Sequence, residues 1–250
     1  MHALSGEEML VAWESSRQRP EQEAALAVLA LVWPERTAGE LAVLPLAERN
    51  AQLLELRAST LGRQMEGRAP CPECGVTLEF ALDAWTLADG LREQITEDGE
   101  ELNGFVMRPA NTQDLLACAG ATSDEEACLI LLERTVRVKN AGLDEAGTME
   151  AGRGTGLPSW PASVSAALME RFERLNAAAE IQVQLQCVAC KARPRFDLDI
   201  AHYLVREIAG AARRLLVEIH ELASAYGWSE QSIARMSGAR RAAYLEMLNA

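Results

Sequence analysis

The stretch CPECGVTLEFALD at residues 71–83 aligns without a gap on a second stretch, CVACKARPRFDLD at residues 187–199. Both cysteines, the phenylalanine, the leucine and the final aspartate recur at one constant offset, which indicates an internal repeat. Each copy has the parts of a knuckle, a strand and a helix cap. A CxxC turn directs two thiolates at one ion, Phe and Leu two positions apart share one strand face, and Asp caps the next helix.

The four repeated cysteines predict a metal site. Each knuckle supplies two thiolates, whereas a structural zinc ion takes four in a tetrahedron. The simplest closed site therefore places Cys71, Cys74, Cys187 and Cys190 on one zinc ion per chain. Such a set leaves no position for water or substrate, so catalysis at the metal is disfavoured. A redox CxxC pair, or degenerate knuckles whose cysteines pack as small hydrophobes, are the alternatives.

Composition limits the class of protein. The 250 residues are 49% hydrophobic and only 5% aromatic, with Ala and Leu dominant, which favours a mainly helical core. A formal net charge of −13 repels nucleic acid and acidic membranes. The first residues lack the basic stretch of a signal peptide, and the apolar run at 24–33 is too short to cross a bilayer. We therefore expect a cytoplasmic protein with reduced cysteines, no membrane contact, and no nucleic-acid or small-molecule partner.

Hydrophobic spacing and capping residues predict the local structure. The fold class is α+β and mainly α-helical, with helices around a small β unit made of two zinc-knuckle hairpins that share one zinc site of four cysteines. A first helix is predicted to end before residue 19. Further helices are predicted to cover 20–33, 46–61, 162–178 and 200–226. Strands are predicted near 76–82, 103–108, 181–185 and 195–198. Four further residues are predicted to cap short helices: Asn111, Ser123, Ser229 and Ser237.

Five segments follow from this pattern, joined in one compact domain. They are an N-terminal helical segment at 1–62, the first knuckle with strands and short helices at 63–139, a Gly-rich linker at 140–158, the second knuckle with a long helix at 159–225, and a C-terminal helical hairpin at 226–250.

Other candidate residues have weaker patterns. Cys118 and Cys128 lack CxxC spacing and lie among leucines, so buried structural thiols are expected. Tyr226, Trp228 and Tyr244 are candidate partner-binding residues, although a packed corner at the glycine turn of residue 227 is the alternative. The glycines at 152–156 resemble a phosphate loop, but no apolar strand leads into them and Pro158 follows, so a linker is the better interpretation. No histidine has the partners of a general base, and no catalytic residue is predicted.

The chain resembles the T-even-type baseplate hub assembly chaperones of contractile-tail phages and related contractile injection systems. The resemblance covers most of the chain. It is carried by LPLAERN at 44–50, the first knuckle at 71–82, RPANTQDL at 108–115, the second knuckle, EIHELA at 218–223, YGWSE at 226–230, and the pairs at 240–241 and 244–245.

This resemblance implies a non-enzymatic protein that helps a baseplate hub or spike to assemble in the bacterial cytoplasm, either as a chaperone or as a component that is incorporated into a virion-like particle. Its partner would be a hub or spike protein of the contractile tail. The alternative function is a zinc-ribbon nucleic-acid-binding accessory factor. Its basic face would consist of Arg206, Arg213, Arg214, Arg240 and Arg241.

Overall fold

The computed structural model describes residues 2–95, 100–102, 105–138 and 162–248. Helices make up most of this part of the chain, and small antiparallel strand groups accompany them. The prediction of a mainly helical fold with a minor β component is therefore confirmed. The predicted linker at 140–158 lies outside the described residues.

Four helices form the N-terminal part: α1 (Gly6–Ser16), α2 (Glu21–Val32), α3 (Ala38–Ala42) and α4 (Leu46–Leu61). The Ser5 hydroxyl accepts from the Glu8 amide while the Glu8 carboxylate accepts from the Ser5 amide, so both ends of a capping box fix the start of α1. Three of these helices match the prediction. The short α3 was not predicted, although Thr37 and Glu40 form a second capping box that the sequence shows.

The first knuckle lies in a hairpin of β1 (Gln64–Pro70) and β2 (Thr77–Asp83), which leads into α5 (Ala84–Glu93). Asp83 caps α5 by accepting from the Thr86 amide at 3.0 Å, as the repeat predicts. In the hairpin, Gly67 is paired with Phe80, and a β-carbon at Gly67 would come within 2.1 Å of the Phe80 ring. Glycine is thus the residue that lets the ring lie across β1.

A second strand group follows, in which β4 (Phe105–Met107) pairs with β3 (Glu100–Leu102) on one side and with β5 (Val136–Val138) on the other. Between β4 and β5 lie α6 (Thr112–Ala117), a 3-10 turn and α7 (Asp124–Thr135). The strand predicted at 103–108 is present as β4, and residues 103–104 lie outside the described residues. Asn111 and Ser123 cap α6 and α7 as predicted.

The second knuckle lies between β6 (Gln182–Gln184) and β7 (Arg195–Asp197), and α8 (Ala162–Asn176) precedes it. The helix predicted to reach residue 178 ends as α8 two residues earlier, and a 3-10 turn continues it. Three helices follow the hairpin: α9 (Ile200–Tyr226), α10 (Glu230–Ala234) and α11 (Gly238–Leu248). Asp199 caps α9 through the amides of Ala201 and His202, so the helix-cap part of the repeat is present in both copies.

The long helix α9 organises the main core. It contacts α1, α2 and α4, and its buried residues recur every three or four positions along one face. These residues are Ile200, Ala201, Leu204, Ile208, Ala212, Leu215, Ile219 and Leu222. An ion pair of 2.7 Å between Arg57 and Glu207 also ties α4 to α9. The core thus joins residues as far apart in sequence as Leu4 and Ala234.

A smaller core lies under β4 and α7. Its buried residues are Met107, Leu132, Leu168 and Leu175. Beside it, the carboxylate of Asp114 is fully buried and bonded to Arg108 at 2.6 Å and to Arg134 at 2.8 Å. These two bonds tie the start of α6 to β4 and to the end of α7.

Candidate functional site

The four knuckle sulfurs converge on one point. The Sγ atoms of Cys71, Cys74, Cys187 and Cys190 all lie within 4.8 Å of one another. Two pairs cross between the knuckles, with 3.7 Å from Cys71 to Cys190 and 3.6 Å from Cys74 to Cys187. Ligand bonds of about 2.3 Å in a tetrahedron separate sulfurs by ~3.8 Å, whereas a disulfide needs about 2.05 Å. The geometry therefore suits one four-coordinate metal ion.

The two knuckle turns have the same backbone hydrogen bonds. The Cys71 amide donates to the Val76 carbonyl at 2.8 Å, and the Gly75 amide donates to the Cys71 carbonyl at 2.9 Å. At the equivalent positions, the Cys187 amide donates to Ala192 at 2.9 Å and the Lys191 amide to Cys187 at 3.0 Å. The repeat seen in the sequence is therefore also a repeat of local structure.

Backbone amides tune the charge of the thiols. The amides of Cys190 and Ala189 outweigh desolvation and lower the pKa of Cys187 to about 6. The Ala192 amide lowers the pKa of Cys190, but desolvation and the neighbouring sulfurs outweigh it and raise that pKa to about 12. The close sulfurs thus combine a thiolate at Cys187 with a thiol at Cys190 that keeps its proton. A cation that binds such a group displaces the remaining protons.

A small apolar cluster supports the sulfurs. Cys71, Leu78 and Cys187 are buried together, with Leu185 and Phe196 packed beside them, while Cys74 and Cys190 are exposed. At their other ends the hairpins reach the main core, because Met65 on β1 and Ile181 beside β6 belong to it. Each hairpin is thus anchored at its base, and the sulfur group is where their tips meet.

The other two cysteines are not part of this group. Cys118 and Cys128 are half-buried, a little more exposed than expected. The Cys118 thiol donates to the Asp114 carbonyl at 3.3 Å, and burial raises the pKa of Cys118. The surroundings of Cys118 are those of a structural thiol.

The three predicted partner-binding aromatics form one group at the C-terminal end of α9. Tyr226 stacks on Trp228 with ring centroids 4.5 Å apart, and Tyr244 meets Trp228 edge-on at 4.8 Å. Trp228 and Tyr244 also pack against the main core, whereas Tyr226 is 36% exposed. The group is a packed corner with one exposed ring.

The arginines of the predicted basic face do not form one free surface. Arg241 is bound to Glu218 at 2.6 Å and is mostly buried, and Arg240 lies over the Tyr244 ring. Arg206, Arg213 and Arg214 are exposed on α9. The positive charge available to bind a phosphate backbone is therefore smaller than the sequence indicates.

Two of the segments that carry the family resemblance lie together. Pro45 bridges to Asn111, and the Leu46 amide donates to the Ala110 carbonyl at 2.9 Å. Arg49, which is 3% exposed, donates to Thr112 at 3.1 Å, and burial lowers the pKa of Arg49 to about 10. Sequence reasoning did not predict this buried arginine, because hydrophobic periodicity places a charged residue on the surface by default.

Comparisons of the chain with protein families, curated proteins and solved structures find no match. Within the described ranges, no helix combines the length and apolar character that a bilayer crossing requires.

Proposed function

We propose that the protein is a non-enzymatic assembly chaperone or baseplate component for the hub or spike of a contractile phage tail or contractile injection system, and that it carries one structural zinc ion. The observation that carries the zinc part is the convergence of four sulfurs from two knuckles. The hub or spike partner, and action in the bacterial host cytoplasm, rest on the family resemblance of the sequence.

Zinc fits the donor set for three reasons. Thiolates are soft ligands that favour zinc over calcium or magnesium. The cross-knuckle sulfur distances of 3.6 and 3.7 Å match a tetrahedral zinc site. The lowered pKa of Cys187 already favours the thiolate that a metal needs. Copper(I) and iron–sulfur groups share the soft ligands, so the metal content decides among them.

A zinc ion at this site would cross-link the two knuckles. It joins the tips of two hairpins that are otherwise linked by the small cluster around Leu78 and Phe196. Four protein ligands leave no open position for water or substrate, so chemistry at the ion is disfavoured. The site thus supports a binding protein in which the ion fixes the two hairpin tips against each other.

The surface that supports partner binding is α11. This helix has no buried residue, and Met247 and Leu248 are 66% and 40% exposed. Tyr226 extends the same end of the molecule with an exposed ring. Aromatic and methionine side chains are enriched at protein interfaces, so this end suits docking onto a hub or spike subunit.

The zinc-ribbon nucleic-acid factor is the weaker candidate. A chain of net charge −13 opposes a phosphate backbone, and Arg241 is already bound to Glu218.

Elemental analysis of the purified chain tests the zinc part. We expect one zinc ion per chain, and its loss in a Cys74→Ser/Cys190→Ser variant, which changes the two exposed cysteines. Cys118→Ser is the matched control and should retain the metal. A zinc-free wild-type protein, or full zinc in the double variant, contradicts the proposal.

Co-expression with affinity-tagged versions of neighbouring hub and spike subunits tests the partner part. The expected result is a soluble complex with one of them that forms with the wild type and is lost with Met247→Glu/Leu248→Glu. Val43→Glu, at another exposed apolar position, is the control and should bind as the wild type does. If all three proteins bind equally or none binds, the assignment of α11 as the docking surface is wrong, whatever the zinc content.

A further inference from the structure

A cavity of about 550 Å³ lies between the outer edge of β1 and the first half of α9. It shares no residue with the α11 surface. Gly67 and Arg68 of β1 line one side, and Tyr203, Arg206 and Arg214 of α9 line the other. We call this feature the β1–α9 groove.

The edge of β1 is open in this groove at Arg68, beyond two residues whose outward carbonyls are already occupied. The carbonyls of Gln64 and Glu66 accept from the Arg57 guanidinium and the Tyr203 hydroxyl, so both point away from β2 and toward α9. Alternate residues of an antiparallel strand direct their backbone groups to the same side, so those of Arg68 also face the groove. Among the described residues, no turn or side chain bonds to the Arg68 amide or carbonyl on that side. An open edge of this kind is where an extended peptide adds as a further strand.

The charge of the groove is opposite to that of the whole protein. Arg206 and Arg214 are exposed, and neither has a carboxylate partner among the described residues. Glu207 is occupied by Arg57 at 2.7 Å, which leaves Glu66 as the carboxylate of the lining without an ion pair in the described chain. Guanidinium groups bind carboxylates through two parallel hydrogen bonds. An occupant with acidic side chains is therefore favoured.

Between the two arginines the floor has no side chain of its own, and the Arg214 guanidinium reaches over it. Gly210 lies midway between Arg206 and Arg214 on the same face of α9, and a β-carbon there would meet only Arg214 Nη1 at 3.5 Å. On the β side, the Phe80 ring gives the groove an apolar wall. An extended backbone can approach α9 closely at Gly210 with an apolar side chain against Phe80.

The spacing of the arginines fixes the pattern of acidic residues. Eight helical residues span ~12 Å at about 1.5 Å each. Four residues of extended chain span ~13 Å at about 3.3 Å each. Two carboxylates four residues apart lie on one side of a strand and match Arg206 and Arg214.

We propose that the β1–α9 groove binds an extended acidic segment of a partner polypeptide, which adds to the edge of β1 at Arg68 and places two carboxylates, four residues apart, on Arg206 and Arg214.

The test uses the full-length protein and a fluorescein-labelled ten-residue peptide of alternating Val and Thr with Glu at positions 3 and 7. We expect saturable binding by fluorescence anisotropy that weakens with added salt. Arg206→Glu/Arg214→Glu should lower the affinity at least tenfold, whereas Arg213→Glu, an exposed arginine outside the groove lining, should leave it unchanged. The same peptide with Gln in place of both Glu residues should bind at least tenfold more weakly.

A second variant separates the groove from charge alone. Gly210→Gln keeps every charge and favours the helix, since Gln is a better helix former than Gly, but it fills the floor and should also abolish peptide binding. Hydrogen exchange at the Arg68 amide should slow when the wild type binds the peptide. Three results would each overturn the proposal: equal peptide affinity in Gly210→Gln, unchanged exchange at Arg68, or a single-stranded oligonucleotide that binds the groove in preference to the peptide. A negative result in these peptide-binding tests does not affect the co-expression test of α11, because the α11 surface consists of other residues.

Discussion

Gly75 and Lys191 hold the same position in the two knuckle turns, directly after the second cysteine of each pair. Both have positive φ angles, 74° for Gly75 and 64° for Lys191. Among the described residues other than glycine, Lys191 alone has such an angle. The turn imposes this conformation, and only the first copy of the repeat has the residue that adopts it without steric cost.

Replacing Lys191 by Gly should raise the free energy of unfolding by ~1 kcal/mol, because it removes the clash of a β-carbon in the left-handed region. Lys191→Ala is the control, since it retains that clash and removes only the bond from the Lys191 ammonium to the Val188 carbonyl. Chemical denaturation in saturating zinc measures both. A Gly variant no more stable than the Ala variant would mean that the turn carries no strain.

Removing the proposed zinc ion should loosen the knuckle hairpins and leave the main core folded. The hairpin tips depend on the sulfur group, whereas their bases are held by Met65 and Ile181 in the main core. Hydrogen exchange followed by mass spectrometry, with and without a chelator, should show faster exchange at residues 69–77 and 185–194 and unchanged exchange in α9. Loss of protection throughout α9 would show instead that the metal holds the whole fold.

Two glycine substitutions should have opposite effects on stability. A β-carbon at Gly6 would lie 2.3 Å from the Ala234 carbonyl oxygen, so Gly6→Ala must push α1 away from α10 and should lower the thermal midpoint. Gly90 lies within α5 with open space around it, so Gly90→Ala should raise the free energy of unfolding by roughly 0.5–1 kcal/mol through helix propensity. Thermal denaturation of the two variants tests the pair. A Gly6→Ala protein as stable as the wild type would mean that the α1–α10 contact adjusts freely.

Asp114 should make stability depend on pH. Burial raises its pKa, but hydrogen bonds from Arg108, the Asn111 amide and Arg134 outweigh burial, and the pKa is lowered. A group with a lowered pKa in the folded state stabilises the protein above its unfolded pKa of about 3.9, and this contribution is lost as the pH falls through the folded pKa.

Asp114→Asn should therefore lower the free energy of unfolding at pH 7 by roughly 3 kcal/mol, as the two arginines lose their buried partner. The difference between variant and wild type should shrink below about pH 4, near the unfolded pKa of Asp. Denaturant unfolding at several pH values measures it. A difference that is constant down to pH 2 would contradict the assigned protonation.

Much of the architecture follows from local signals in the chain. Helical spacing predicts the range of α4, and Asp199 and the glycine at 227 mark both ends of α9, which is a strongly amphipathic helix. The constant offset of the two CxxC segments predicts two hairpins and two helix caps. It also predicts which cysteines belong together, since a tetrahedral site needs both copies.

Other features depend on distant contacts and give no local signal. The strands β3 and β5 have three residues each and exist through pairing with β4. Arg49 and Asp114 are buried because Thr112 and Arg108 approach them in the folded chain. The open edge of β1 was likewise not predicted, because the edge is defined by where α9 lies rather than by the strand's own residues.

The position of α9 after the helices that it covers has a consequence for synthesis. Leu29 and Leu53 are fully buried in a core that α9 completes, yet the ribosome releases the helices of residues 6–61 long before it makes residues 200–222. During that interval the nascent chain presents apolar helix faces without their covering partner. A ribosome stalled before Ile200 would leave an aggregation-prone fragment. We therefore expect the incomplete chain to be sensitive to proteases and to aggregate with other nascent chains. Pulse-labelled translation with timed proteolysis would show when this sensitivity ends.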